Sequence, residues 1–216
     1  MDMKKIGIIG SGIVGKTLAS GFKKNGYEVK VGTRNPEKLS DWLNSEEGKD
    51  ILSGAFEETA EYGDIIVLAV KGNVAKDVVR LIKPHLGGKT IIDTTNPIAD
   101  NPPEEGVLEF FTDFKKSLME DLQSIAPEAK FVKAFNSVGS AFMINPDFES
   151  RPTMFICGNN DEAKTEVIDI LESFNWDSED MGSSASARAI EPLCILWCIP
   201  GFKNNQWSHA FKLLKK

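Results

Sequence analysis

Short apolar runs separated by polar, helix-forming stretches recur along the chain and predict alternating strands and helices. The clearest run, Asp64 to Val70, is apolar without alternation, as expected of a strand that is buried on both faces of a parallel sheet. The predicted strands are residues 4–9, 27–31, 64–70, 89–93, 129–134 and 152–158. This order of elements predicts an α/β fold with a doubly wound, mainly parallel sheet.

Apolar residues at helical spacing follow most of these strands, and Asn160 is placed to cap the helix after the sixth. The predicted helical segments are residues 13–25, part of 37–60, 74–82, 107–125, 161–174 and 186–197, the last of them ended by Pro200 and Gly201. The aromatic residues of the fourth segment, Phe110, Phe111 and Phe114, are expected in the core, with a cover over a flat ring system at the site as the alternative. We expect a main domain over residues 1–150 and a small C-terminal strand–helix extension over residues 151–216, packed on the same sheet.

The segment Gly10-Ser11-Gly12-Ile13-Val14-Gly15 lies between the first strand and the first helix. A G-x-G-x-x-G motif in this βαβ context predicts a Rossmann-type dinucleotide site. The first glycine allows the tight turn, the second lets the backbone approach a pyrophosphate, and the third lets helix and strand pack closely. The free N–H groups and the positive end of the helix dipole then face the phosphates. The alternative is a glycine-rich turn in an ordinary α/β protein.

The end of the second strand indicates which dinucleotide is bound. An NAD site usually has Asp or Glu here to hold the ribose 2′-OH. This chain has Thr33-Arg34-Asn35 after the strand, with Lys38 one turn further on, and no carboxylate follows the strand before Glu37. A guanidinium binds a 2′-phosphate by two charge-assisted hydrogen bonds of roughly 1.5–3 kcal/mol each. We therefore predict NADP(H), with a solvated surface arginine as the alternative.

The carboxyl ends of the later strands provide further candidate cofactor-binding residues, because ligands of open α/β sheets bind beyond these ends. Ala69, Val70 and Lys71 are expected to border the adenosine half of the cofactor, with a plain strand-to-helix turn as an equal alternative for each. Asn96, followed by Pro97, is expected near the nicotinamide, since its amide both donates and accepts hydrogen bonds. Asn-Pro is also a common turn dipeptide, so this interpretation has an equal alternative. Ala134 and Asn136 reach the same edge at the end of the fifth strand.

Composition narrows the range of partners. The net charge is −7 and the pI is near 5.0, which argues against nucleic acid or an anionic membrane surface. We expect neither a leader nor a membrane span, and hence a cytoplasmic protein. Cysteines 157, 194 and 198 predict no disulfide framework, and His85 and His209 lack partners at metal-ligand spacing, so no metal is expected. The apolar stretch 193–202 is a candidate partner surface or homodimer contact, with a core helix as the alternative.

Residues that usually carry catalysis are almost absent from the expected site, and no catalytic residue is assigned. Reduction of a carbonyl needs a proton donor such as His, Lys or Tyr. Lys71 belongs to the expected adenosine side, and Lys133 lies within a strand and is expected to point away. Hydride transfer to a flavin-like ring needs no such acid, because the protein only holds two flat rings face to face. This absence favours a second redox cofactor as acceptor.

The sequence resembles the NADP oxidoreductases that depend on the deazaflavin coenzyme F420, and the cytosolic reductase domain of the six-transmembrane metalloreductases. The matching stretches are Ile8 to Gly15, Val31 to Pro36, Val132 to Asn136, Ile156 to Asn159 and Gly182 to Leu193. The resemblance spans nearly the whole chain. It implies the same fold, NADPH along the first strands and a deazaflavin or flavin ring stacked on the nicotinamide.

The resemblance also implies that Thr33, Arg34 and Lys38 take the 2′-phosphate. Residues 100–114, which would border the acceptor, match neither group well. We expect no six-helix membrane portion, so the resemblance does not imply transmembrane iron reduction. The leading hypothesis is an NADPH-dependent oxidoreductase that exchanges a hydride with a deazaflavin or flavin. A small imine or 3-hydroxyacid reductase and a non-catalytic NADPH-sensing module are the alternatives; the former needs more than the roughly 65 residues that follow the fifth strand and its loop.

Overall fold

The computed structural model describes residues 4–216. The strands are β1 Lys5–Ile9, β2 Glu28–Gly32, β3 Leu52–Gly54, β4 Ile65–Leu68, β5 Thr90–Asp93, β6 Lys130–Lys133, β7 Thr153–Gly158 and β8 Asp177–Asp180. The α-helices are α1 Ile13–Lys24, α2 Ser40–Leu43, α3 Phe56–Tyr62, α4 Gly72–Ile82, α5 Leu118–Ile125, α6 Asp161–Ser173, α7 Ala187–Ile190 and α8 Leu193–Asn204.

The described strands form one sheet in the order β3-β2-β1-β4-β5-β6-β7-β8. The first six strands in this order, β3 through β6, each pair in parallel with their neighbours among these six. β7 runs antiparallel to β6, and β8 runs parallel to β7. The predicted Rossmann-type, mainly parallel α/β sheet is therefore confirmed.

Helices cover both faces of this sheet. Leu18 of α1 and Leu171 of α6 belong to the core on one face, while Val79 of α4 and Leu122 of α5 belong to the core on the other. Every residue of β4 and β5 is buried, which explains why their sequences do not alternate. Because both faces are covered, the carboxyl edge of the parallel strands is where a ligand can approach the sheet.

The C-terminal residues extend the same sheet through β7 and β8. Beyond α8, the tail of residues 205–216 returns to the start of β7, where Thr153 N donates to the Phe211 carbonyl oxygen at 2.8 Å. The division into domains at residue 150 stays a prediction.

The segment 107–125 differs from its prediction, because the helix α5 begins only at Leu118. Ser117 and Glu120 form a capping box that fixes this start. The residues before it are irregular and pair through isolated bridges, one of them between Ile98 and Phe110. Phe111 and Phe114 are exposed and Phe110 is half-buried, so the expected core position of the three aromatics is wrong.

Two other segments also differ from their predictions. Residues 37–60 include the short strand β3 in addition to helical turns. The final helical stretch is broken at Pro192 into α7 and α8, and α8 continues through Pro200 to Asn204. One proline removes a single backbone donor, and the helix tolerates that loss here. Among residues 4–216, no helix is both long and apolar enough to cross a bilayer.

Candidate functional site

The loop from Gly10 to Gly15 joins β1 to α1 at the carboxyl edge of the sheet. Gly10 has φ +124°, and a Cβ there would lie 2.2 Å from the carbonyl oxygen of Ala69. A Cβ on Gly15 would lie 2.0 Å from the carbonyl oxygen of Gly10. A Cβ on Gly12 would meet nothing within 4 Å beyond its chain neighbours. The outer glycines are therefore required by packing, whereas the middle one leaves its backbone open to a ligand.

The start of α1 is not capped by any side chain. Gly12 is the N-cap residue, and the first turn contains no acidic residue. The first backbone hydrogen bond of the helix runs from Lys16 N to Gly12 O at 3.0 Å, so the N–H groups before Lys16 lack an intrahelical acceptor. These free donors and the helix dipole make the start of α1 suitable for an anion.

The turn after β2, which carries Arg34 and Lys38, contacts this loop through Thr33. Ser11 Oγ donates to Thr33 Oγ1 at 2.9 Å, and Asn35 N donates to the same oxygen at 3.3 Å. Arg34 and Lys38 are exposed, and among residues 4–216 neither side chain has a hydrogen-bonding or ion-pair partner. Both cations are thus available to an external anion.

A cleft of about 510 Å³ opens beside the start of α1. It is lined by the segments that follow three strands: residues 12–14 after β1, residues 69–73 after β4, and residues 94–96 and 98–100 after β5. At its rim the Asn73 amide donates to both carboxylate oxygens of Asp100, at 3.1 and 3.2 Å. This contact ties the start of α4 to the irregular segment that follows β5.

Two asparagines connect the ends of β5 and β6. Asn96 Nδ2 donates to the Asn136 carbonyl oxygen at 2.7 Å, and Asn136 Nδ2 donates to Asn96 Oδ1 at 3.2 Å. Phe135, between Ala134 and Asn136, has φ +62°, a conformation that non-glycine residues rarely adopt. Asn136 is buried, and its Oδ1 has no hydrogen-bond partner among the described residues.

A buried charge cluster, defined by Asp93, Lys133 and Glu191, lies behind the cleft. Lys133 Nζ lies 2.7 Å from Asp93 Oδ2 and 3.0 Å from Glu191 Oε1. Lys133 is not a donor exposed to substrate, because its side chain is fully buried. Burial alone would lower the pKa of Lys133, but the two carboxylates outweigh it and raise that pKa above its usual value.

The charge cluster also holds the wall of the cleft. Lys133 Nζ donates to the Thr95 carbonyl oxygen at 2.8 Å, and Asp93 Oδ1 accepts from both the N–H and the hydroxyl of Thr95. The Lys133 side chain thus points toward Thr95, which lines the cleft. The prediction that Lys133 points away from the site is wrong. The rule that ligands lie beyond strand ends would have found Thr95, whereas no sequence signal links Glu191 to the site.

The structure brings part of the predicted set together in the cleft: Gly12, Ile13, Val14, Ala69, Val70, Lys71 and Asn96. Ala69, Val70 and Lys71 line the same cleft as Asn96, whereas Arg34 is not among the residues that line it. The remaining members lie beneath the cleft or beside it: Gly10, Ser11, Gly15, Thr33, Arg34, Asn35, Lys38, Pro97, Ala134 and Asn136. Ala134 and Pro97 are buried and serve as backbone supports, with Ala134 N donating to the Asp93 carbonyl oxygen at 3.1 Å.

A Rossmann-type sheet with a bare helix start and a cleft at its carboxyl edge defines the class of nucleotide-binding α/β proteins. Within that class, residues 5–97 match the model of the family described as NADP oxidoreductase coenzyme F420-dependent. A solved structure described as an F420-dependent NADP reductase from Arthrobacter sp. FB24 matches with a TM-score of 0.90 and 29% identity, covering 99% of this chain and 100% of that one.

Two curated relatives are also reductases. Metalloreductase STEAP3 of Rattus norvegicus is 30% identical over 92% of this chain and 39% of its own length. The F420-dependent NADP reductase of Methanocaldococcus jannaschii is 26% identical over 88% of this chain and 91% of its own length. The chain thus spans about two fifths of the metalloreductase. The predicted resemblance to the F420-dependent NADP oxidoreductases and to the metalloreductases is therefore confirmed.

Proposed function

We propose that this chain binds NADP(H) with the pyrophosphate at the start of α1 and the 2′-phosphate at Thr33, Arg34 and Lys38. We further propose that it exchanges a hydride between the nicotinamide and a deazaflavin or flavin. When bound, the reduced nicotinamide supplies the hydride, and a proton from solvent completes the reduction of the acceptor. The chain itself binds the two ring systems and orients them.

The observation that carries the proposal is the pair of unpartnered cations beside an uncapped helix start. Arg34 can form two parallel hydrogen bonds to a phosphate, which a ribose hydroxyl cannot accept equally well. The hydrogen bond from Ser11 to Thr33 ties the phosphate loop to the turn after β2. One extended ligand can therefore contact both segments.

The polar groups at the other end of the cleft fit a nicotinamide. Its carboxamide has both a donor and an acceptor, and the side-chain amide of Asn96, which lines the cleft, offers complementary groups, with Asn136 holding that amide from beneath. In this proposal, Pro97 and Ala134 fix the backbone around the two asparagines, and Ala69, Val70 and Lys71 form the opposite wall.

A flat redox ring as acceptor is supported by the chemistry of the cleft lining. Among the described lining residues, the ionisable side chains are Lys71 and Asp100, and both are exposed. The Asp100 carboxylate accepts hydrogen bonds from the Asn73 amide. Reduction of an imine or a carbonyl would need a better placed acid. The F420-dependent relatives, as their names describe them, support the same acceptor class. Homodimer formation and a cytoplasmic location stay predictions.

Calorimetric titration with NADPH and NADH tests the cofactor. We expect wild type to bind NADPH at least about tenfold more tightly than NADH, and Arg34→Ala to lose that preference, because each charge-assisted hydrogen bond contributes about 1.5–3 kcal/mol. Arg80→Ala, which removes an exposed arginine on α4, is the matched control and should behave as wild type. Tighter binding of NADH by wild type would contradict the proposal.

Anaerobic stopped-flow mixing tests the acceptor. The protein with NADPH is mixed with FMN, with coenzyme F420 or with a cyclic imine, and the nicotinamide absorbance is followed. We expect NADPH oxidation with a flavin or deazaflavin and none with the imine. Oxidation only with the imine, or no oxidation with either ring system, would refute the acceptor class while leaving the cofactor assignment intact.

A further inference from the structure

The charge cluster of Asp93, Lys133 and Glu191 contains two carboxylates and one ammonium, a formal charge of −1. We propose that this cluster makes the cleft prefer the oxidised, positively charged nicotinamide to the reduced, neutral one. This inference rests on the proposed binding of NADP(H) in the cleft. It assigns the cluster a role in setting the redox balance of the bound cofactor.

The cluster is in direct contact with the wall of the cleft. Thr95 lines the cleft, and all of its polar groups bond to the cluster: the N–H at 2.9 Å and the hydroxyl at 2.7 Å to Asp93, and the carbonyl oxygen at 2.8 Å to Lys133. Asp93 and Lys133 are fully buried and Glu191 is 2% exposed. Their charges are therefore screened weakly and act over a longer distance than surface charges do.

The negative charge is balanced only in part. Glu191 accepts from the N–H groups of Leu118 and Met119, both at 3.0 Å, at the start of α5. The dipole of a helix contributes roughly +0.5 charge at this end, less than the full unit that would neutralise the cluster. The two redox forms of the cofactor carry the same phosphates and sugars and differ in charge only at the ring. A residual negative field behind the cleft therefore favours the cationic ring.

Calorimetric dissociation constants for NADP⁺ and NADPH test the proposal. Glu191→Gln and Asp93→Asn each remove one negative charge with little change of shape, and Glu162→Gln on the exposed first turn of α6 is the matched control. We expect the ratio Kd(NADP⁺)/Kd(NADPH) to rise roughly tenfold in the two cluster variants, as for a unit charge about 10 Å away at an effective dielectric constant of about 20. The control should keep the wild-type ratio.

An unchanged ratio with both affinities weakened would mean that the cluster only holds the wall in place, and would overturn the proposal. Thermal unfolding establishes whether the variants fold. If neither variant folds, the ratio Kd(NADP⁺)/Kd(NADPH) of wild type tests the proposal, which requires wild type to bind NADP⁺ more tightly than NADPH. Tighter binding of NADPH by wild type would then overturn it. If wild type binds neither form, the proposed function itself fails, which is a different result from an unchanged ratio.

Discussion

Two glycines of one motif, Gly12 and Gly15, have separable roles at the residue scale. Gly12 has φ −73°, which any residue can adopt, and has open space around it, so we expect Gly12→Ala to fold with a free energy of unfolding within about 1 kcal/mol of wild type. Its methyl group would keep the backbone from approaching a pyrophosphate, and NADPH should bind at least about tenfold more weakly. Chemical denaturation and calorimetric titration measure the two quantities.

Gly15→Ala provides the contrast. Its Cβ would lie 2.0 Å from a backbone oxygen, so the loop or the helix has to shift, and we expect a loss of about 1–3 kcal/mol in unfolding free energy. A stable Gly15→Ala together with an unstable Gly12→Ala would show that the packing and ligand roles are assigned to the wrong glycines.

The sequence predicts the roles of these two glycines because their spacing reflects a local backbone requirement. It does not predict Phe135 at φ +62° or the burial of Lys133, since both depend on what the rest of the chain places around them. A lysine in a strand is ordinarily a surface residue. Only the carboxylates from β5 and from the start of the final helical region, far apart in sequence, make its burial favourable.

At the element scale, α5 and α7 are joined through Glu120. Its carboxylate accepts from Arg188 Nε at 2.9 Å and from Arg188 NH2 at 2.6 Å, and from Ser117 N in the capping box. The hydrogen bond to Arg188 is the main cause that lowers the pKa of Glu120 from 4.5 to about 2. The bidentate contact thus requires the ionised carboxylate.

We therefore expect Arg188→Ala to lower the free energy of unfolding at pH 7, by the small amount typical of an ion pair that solvent screens. The carboxylate contributes stability above its unfolded pKa, and this contribution disappears as the pH falls through the folded one. The difference from wild type should therefore shrink between about pH 4.5 and pH 2. Urea unfolding across this range measures it. Arg80→Ala is the control, and an equal loss at every pH would contradict the ion-pair explanation.

The same elements show where a sequence pattern misleads. Phe110, Phe111 and Phe114 have helical spacing, which predicted a long helix over 107–125. The capping box of Ser117 and Glu120 was visible in the sequence and marks the actual start of α5. The strand β3 has three residues and only one parallel neighbour, so its sequence carries too little periodicity to be recognised.

At the scale of the whole molecule, the tail of residues 205–216 holds the last strands to α8. Besides the bond to Thr153 N, Leu213 N donates to Thr153 Oγ1 at 3.1 Å, and Trp197 Nε1 donates to the His209 carbonyl oxygen at 2.9 Å. The rings of Trp197 and His209 stack with centroids 4.9 Å apart. None of the tail residues lines the cleft. Stability and cofactor binding should therefore respond differently to its removal.

We expect a chain that ends at Asn205 to lose at least about 3 kcal/mol of unfolding free energy. The truncation removes the three hydrogen bonds named above, of about 0.5–1.5 kcal/mol each, and the ring stacking, together with further tail contacts such as the bond from Lys212 Nζ to the Arg151 carbonyl oxygen. A chain that ends at Leu214 keeps these contacts and should match wild type. Where both are folded, NADPH should bind each with an affinity within about twofold of wild type. A loss below about 1 kcal/mol in the shorter chain would mean that the tail contributes little to the stability of the fold. A large loss of NADPH affinity would mean that the shape of the cleft depends on contacts made by the tail.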